Sequence, residues 1–331
     1  MPKTANGELI LKFVKENQDL PTLTLSKLIY SKHKTLFKDI EQVRRSVRGY
    51  RGQSGKKNKK NYPKEFQKKV RYNYNPFKMP RSFIQPQNVW KLPKGCTKVL
   101  IISDLHIPEQ DNEAIISALK YGKEKGINAI FINGDLLDFY LISTHEKRAM
   151  REWKISDELE ACRDFFKMLR KNFSCPIYFI PGNHDVRLMR YLRVKAPELL
   201  GNPEFMLDII LRCAEFKIEY IPYQSKCYFG KLLVEHGDKM RGTGGVNPAR
   251  TLLLKFKRPV LCGHFHRTSS ANSKVYDGNA DMAWSTGCLT TLEPDYMQVN
   301  EHNHGAAIVE VNPINGNFRV QNFQIIDGKI Y

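Results

Sequence analysis

Five short apolar runs, rich in β-branched residues, recur along this chain, and each halts at a residue able to bind metal. KVLIIS leads into Asp104-Leu105-His106, and AIFIN into Gly134-Asp135. PIYFIPG leads into Asn183-His184-Asp185, KLLVE into His236-Gly237, and RPVLC into Gly263-His264-Phe265-His266. Their length and branching predict buried strands. Apolar positions at helical spacing predict helices over 111–125, 157–172 and 203–214. The last third reads as strands: AWSTGCL, GAAIVEV and FRVQNFQII, the final two joined as a hairpin by PINGN. Strands that alternate with helices and end on reactive side chains describe an α/β enzyme with its site at the strand ends.

The first hundred residues have another rhythm. Leu9, Ile10, Phe13 and Val14 predict one helix over 7–17, and Leu25, Leu28 and Ile29 a second over about 24–34. Phe37 closes the turn after it. Asp39 is a good N-cap for a third helix over 40–50, striped by Ile40, Val43 and Val47. Arg44, Arg45, Arg48 and Arg51 lie on the opposite side as nucleic-acid-binding candidates. Three short helices ending in an arginine-rich one resemble a helix-turn-helix DNA reader; the alternative is a small bundle with a solvated basic face. Segment 53–95 reads as a linker, broken by Pro63, Pro76, Pro80, Pro86 and Pro93. Tyr62, Phe66, Tyr72, Tyr74 and Phe77 alternate with cations there, a pattern that suits base stacking along a phosphate backbone. Packing of those rings back on the enzyme is the alternative. The expected domains are therefore 1–52, helical and basic; 53–95, linker; and 96–331, the enzyme.

Charge sharpens this division. Residues 1–98 hold 24 Lys/Arg against 6 Asp/Glu, whereas the remainder is nearly neutral, out of a formal net charge of +19. A basic module attached to a neutral enzyme points to a polyanionic partner, nucleic acid and DNA first. Seven scattered cysteines without a CxxC pair read as reduced thiols. No apolar stretch is long enough to span a membrane and no secretion signal opens the chain, so a cytoplasmic protein is expected.

The ordered series D-x-H, GD, GNHD, HG, GHxH resembles the calcineurin-like metallophosphoesterase superfamily over about residues 97–311. That resemblance implies a four-layer αββα sandwich with two divalent metals at one edge of its sheets. Paired metals about 3.5–4 Å apart need a shared ligand, and the Asp135 carboxylate is the natural bridge. By resemblance, Asp104, His106 and His266 complete one site, and Asn183, His236 and His264 the other. Only two of these ligands are anionic, so the loaded site carries about +2, which favours a phosphate. Mixed nitrogen and oxygen ligation suits Mn, Fe or Zn better than Ca. The superfamily uses the histidine at 184 to protonate the leaving group or steady the transition state, with Asp185 expected to orient it; the alternative makes His184 a ligand. Arg187 and Arg267 are candidate substrate contacts. Asp138 reads as a support for the strand-end turn, the glycine-rich run 241–250 as a weak phosphate signal, His302 and His304 as rim residues, and His145 as a surface residue.

Phe139-Tyr140 stand where the Ser/Thr phosphatase branch carries arginine and glycine, which argues against a protein phosphatase. His236-Gly237-Asp238 is similar to the lipid pyrophosphohydrolase branch, but Asn183-His184 departs from it. Segment 186–235 is either a helical lid or an ordinary outer layer. The favoured reading is a phosphodiesterase or nuclease brought to nucleic acid by its basic head, with a small-nucleotide phosphatase or phosphodiesterase as alternative. A helix-turn-helix-like head on such an enzyme suggests a bacterial or phage origin.

Overall fold

The computed structural model describes residues 4–18, 20–54, 87–144, 153–240, 247–274, 280–293 and 300–331. The linker aromatics, His145 and residues 241–246 of the glycine-rich run lie outside them. The chain divides into two compact units, Met1–Ile84 and Gln85–Tyr331.

In the first unit, α1 (Ala5–Glu16), α2 (Thr22–Lys32) and α3 (Ile40–Tyr50) enclose a core of Ile10, Val14, Leu25, Ile29, Phe37, Val43 and Val47. Asp39 caps α3 by accepting the Gln42 amide at 2.6 Å, which satisfies one of the unpaired donors of the first turn. Arg51 departs from expectation. It is 6% exposed, and its guanidinium donates to Leu20 O at 2.7 Å and Asn17 O at 2.9 Å. These carbonyls lie in the turn between α1 and α2 and have no helical partner. Arg51 therefore holds the unit together and does not extend the basic face. Arg45 and Arg48 are exposed, while Arg44 is paired with Glu41 at 2.9 Å.

The second unit is built on two sheets. One has seven strands in the order β13-β12-β11-β2-β3-β4-β5, and the other six in the order β1-β6-β7-β8-β10-β9. The five ligand-bearing runs are β2 (Lys98–Ile102), β3 (Ala129–Asn133), β4 (Ile177–Ile180), β7 (Leu232–Glu235) and β8 (Val260–Cys262). Around them are β1 (Val89–Lys91), β5 (Ile218–Tyr220), β6 (Lys226–Phe229), β9 (Ser269–Lys274) and β10 (Ala280–Ser285). The chain closes with β11 (His304–Val311), β12 (Phe318–Ile326) and β13 (Lys329–Ile330), β11 and β12 pairing antiparallel as the predicted hairpin.

Side-chain alternation makes the layers. Val99, Ile101, Ala129 and Phe131 meet Phe229, Leu232, Val234 and Leu261 between the sheets. The intervening Leu100, Ile102, Ile130 and Ile132 face α4 (Asn112–Glu124) and α5 (Ile155–Asn172). On the other sheet Leu233 and Val260 pack under Leu252 and Leu253 of α8 (Pro248–Phe256). The result is the expected four-layer αββα sandwich. Among the described residues no helix is long and apolar enough to cross a membrane.

Two sequence expectations change. The linker was expected to reach residue 95, but β1 pairs in parallel with β6, and Trp90 packs against Phe131, Tyr178 and Phe229. The gain from burying an indole outweighs the flanking prolines. The helix expected over 203–214 is a 3-10 turn, Pro203–Phe205, followed by a single α turn, α7 (Leu207–Ile210). Arg163 takes Ile210 O at 2.7 Å, and Arg170 takes Phe216 O at 2.9 Å, so those carbonyls need no helix. Segment 186–235 thus contributes α6 (Arg187–Lys195), α7 and strands β5 to β7.

Candidate metal centre

Parallel pairing places the ligand loops side by side. β2 and β3 are in register at Ile102 and Ile132, so Asp104 and Asp135 leave adjacent strand ends. The register of Glu235 with Cys262 does the same for His236 and His264 on the facing sheet. The amides of Leu105 and His106 both bond to Asp135 O, at 2.9 and 3.0 Å, clasping the first loop to the second. Asp104, His106, Asp135, His264 and His266 all hold left-handed backbone, with φ between 48° and 67°. For residues with a Cβ such backbone costs on the order of 1–2 kcal/mol each, and it survives where the surroundings over-determine it.

Ligand atoms of Asp104, His106 and His266 lie within 4.8 Å of one another, as do those of Asp135, His236 and His264. Asn183 Oδ1 is 3.2 Å from His236 Nε2. Asp135 stands between the groups, with Oδ2 3.1 Å from His236 Nε2 and 3.8 Å from His106 Nε2. All seven residues named as ligands from the sequence are therefore gathered in one place. His106, Asp135 and His184 form a further such group.

The donor set fits cations. His236 donates Nδ1–H to Asn133 O at 2.8 Å, which turns its Nε2 toward two oxygens, those of Asp135 and Asn183. A bare lone pair there would be repelled; a proton or a metal resolves it. His106 Nε2 and His266 Nε2 face each other at 3.2 Å, and Asp104 Oδ1 is buried without a hydrogen-bond partner. Electrostatics follow the same pattern. Burial lowers the His236 imidazole, but Asp135 and Asp104 outweigh it and push it up to about 10. Burial would raise the Asp135 carboxyl, yet His236 and His184 hold it well below the carboxylate range. A Cβ at Gly182 would collide with Asp135 Oδ1 and stand 2.7 Å from His236 Nε2, so only glycine allows this approach.

His184 stands beside the clusters, its Nε2 3.9 Å from Asp135 Oδ2. The carboxylate that orients it is Asp138, whose Oδ1 lies 2.8 Å from His184 Nδ1 and 3.3 Å from His106 Nδ1. Asp185, expected in that role, points the other way and accepts the amides of Leu137 at 2.9 Å and Gly182 at 2.7 Å. Burial and the Asp135 charge push its carboxyl up to about 7. Consecutive side chains diverge, so the residue next to His184 cannot reach its Nδ1. Asp138, three residues after Asp135 on the neighbouring loop, can, and the GDLLD spacing was its available signal.

Arg187 also turns inward, donating to Asp138 O at 2.6 Å with Nη2 3.2 Å from His184 Nε2. Arg267 is held by Glu301, donating Nε–H to its carbonyl at 3.2 Å as well as pairing with its carboxylate. His302 meets His266 edge-on, with ring centroids 4.7 Å apart, whereas His304 bonds to Thr290 O at 2.9 Å.

A two-sheet sandwich that gathers histidines and carboxylates from five strand ends defines a metal-dependent hydrolase. Residues 97–295 match the calcineurin-like phosphoesterase family, and the chain belongs to it. That family works with a dinuclear divalent metal site. The chain is 28% identical over 200 residues to the gene 54 protein of Mycobacterium phage L5, and 26% to that of phage D29, covering 57% of this chain and 76% of each relative. Among solved structures it is similar to Vps29 of Entamoeba histolytica, at 13% identity with a TM-score of 0.37 over 71% of this chain and 96% of that one. It is also similar to the phosphoesterase YfcE of E. coli, at 10% identity and 0.32 over 68% and 98%.

Proposed function

We propose that this chain is a dinuclear-metal phosphoesterase that hydrolyses phosphodiester bonds in nucleic acid, DNA before RNA, and that the basic N-terminal unit brings it there. One observation carries the chemistry: two ligand groups converge on Asp135 with the His184–Asp138 pair beside them. Asp104, His106 and His266 would hold one cation, Asn183, His236 and His264 the other, and Asp135 both. The mixed donors favour Mn, with Fe or Zn next. When bound, the cations supply positive charge to the phosphoryl oxygens and acidify water.

The protein's own groups do the rest. Asp138 accepts His184 Nδ1–H, fixing the ring so that Nε2 meets the ester, where it holds the proton that the leaving oxygen needs. Asp138 also balances the imidazolium charge. Arg187 Nη2, now at Nε2, would exchange that partner for a non-bridging phosphate oxygen.

The nucleic-acid substrate is supported by the 24 Lys/Arg of residues 1–98 and by exposed Arg45 and Arg48 on α3, read as the recognition helix of a helix-turn-helix pair with α2. The test is Mn-dependent cleavage of labelled single- and double-stranded DNA and RNA by the full chain, by His184→Ala and by Arg45→Glu/Arg48→Glu. Cleavage that needs His184 and falls about tenfold with the arginine changes supports the reading. Hydrolysis of a small phosphodiester alone would replace it with the small-nucleotide reading.

A further inference from the structure

A cavity of about 490 Å³ lies at the end of the sandwich remote from the metal centre. Its walls include Cys96 just before β2, Gly230 just before β7 and Arg258 just before β8, whereas the metal ligands follow these same strands. At about 3.3 Å per residue, strands of three to five residues separate the two ends by roughly 10–17 Å. The cavity is therefore no extension of the catalytic cleft. Lys91 and Lys94 complete one wall, Tyr228 and Val311 another.

Its chemistry is one-sided. Three cations, Lys91, Lys94 and Arg258, border it, and among the described residues no carboxylate lines it or pairs with them. Arg258 lies over the Tyr228 ring, 4.9 Å from its centroid, and donates to Tyr228 Oη at 3.2 Å. Its Nε–H is buried with no hydrogen-bond partner. A guanidinium N–H left without an acceptor is unfavourable, and an anion nearby would offset it. The stacked guanidinium and the apolar side chains of Leu92 and Val311 offer flat, greasy surface that a bare inorganic anion would not use. The volume falls within the range of about 300–1,000 Å³ typical of small-molecule sites.

We propose that this cavity is a second ligand site, taking a nucleoside phosphate either free or as one unit of a single strand. The phosphate meets Lys91, Lys94 and the Arg258 guanidinium, and the base lies along the apolar wall. Charge continuity favours this occupant. The wall that begins at β1 follows, seven residues on in sequence, residues 56–81, which hold ten Lys/Arg and one Glu. The site stands independently of which ester the metal centre cleaves.

The experiment is calorimetric titration of the full chain in EDTA, so that neither cleavage nor cation-bridged binding contributes. The probes are AMP, an eight-residue oligothymidylate and inorganic phosphate. The proteins are wild type, Arg258→Ala, Lys94→Glu and Lys120→Glu, the last an exposed charge change on α4. Binding weakened about tenfold by both cavity changes but not by Lys120→Glu bears the proposal out. AMP binding would then identify a free nucleotide, and oligonucleotide binding alone a strand. Lys94 is exposed, so its variant keeps the test valid if Arg258→Ala fails to fold. Equal losses in all three variants, no binding, or inorganic phosphate binding as tightly as AMP would overturn it.

Discussion

At the scale of single residues, the decisive pair is Asp138 and Asp185. Asp138→Asn should lower kcat about 10²-fold, because a neutral amide replaces the charged acceptor that orients His184 and also holds the ligand His106. Asp185→Asn should instead weaken the fold of the Gly182 loop, read as a lower melting temperature. Glu158 gives a pH test. It accepts the Phe139 amide at 2.8 Å, and burial together with the charge of Asp138 raises its carboxyl to about 7. The folded state then holds this proton more tightly than the unfolded one. Its contribution is intact below pH 4.5 and declines as pH rises to about 7. Relative to Glu158→Gln, the wild type should lose on the order of 1–3 kcal/mol between pH 4.5 and 8 in urea unfolding. Ligand positions were legible from sequence because each ends a strand-like run. The partner of His184 was not, since it depends on which loop lies alongside in space.

At the scale of elements, the strands and helices that bury a continuous apolar face matched their sequence signals, as did the Asp39 cap and the PINGN turn. What escaped was short or half-exposed. β1 has three residues, is flanked by proline and carries a single inward ring, Trp90. Nothing periodic marks so brief an edge strand. Its role is nevertheless measurable. A chain beginning at residue 97 should melt well below one beginning at 87, because it leaves the outer edge of β6 unpaired and strips the indole from Phe131, Tyr178 and Phe229. Equal melting temperatures would refute the assignment of β1 to the enzyme unit.

At the scale of the whole molecule, the two units have cores with no residue in common. Arg51→Ala removes three hydrogen bonds inside the first. It should destabilise that unit by about 2–4 kcal/mol while hydrolysis of a small phosphodiester stays unchanged. The matching surface change Arg48→Ala should do neither. Helical periodicity placed both arginines on one face. Arg51 escapes that pattern because it lies beyond the end of α3, where the carbonyls of the turn between α1 and α2 are within reach.

The ligand loops span residues 104 to 266 and come from both sheets, which has a kinetic consequence. No local segment carries enough of the site to grip a cation, so both sheets must be paired before a grip exists. Cations should therefore bind after the rate-limiting step of folding. Mn present during refolding should leave the folding rate within about a factor of two while slowing unfolding many-fold, as stopped-flow fluorescence would show. Such ions would act as a latch closed on a finished fold: a chain short of them should form at normal speed and be lost faster.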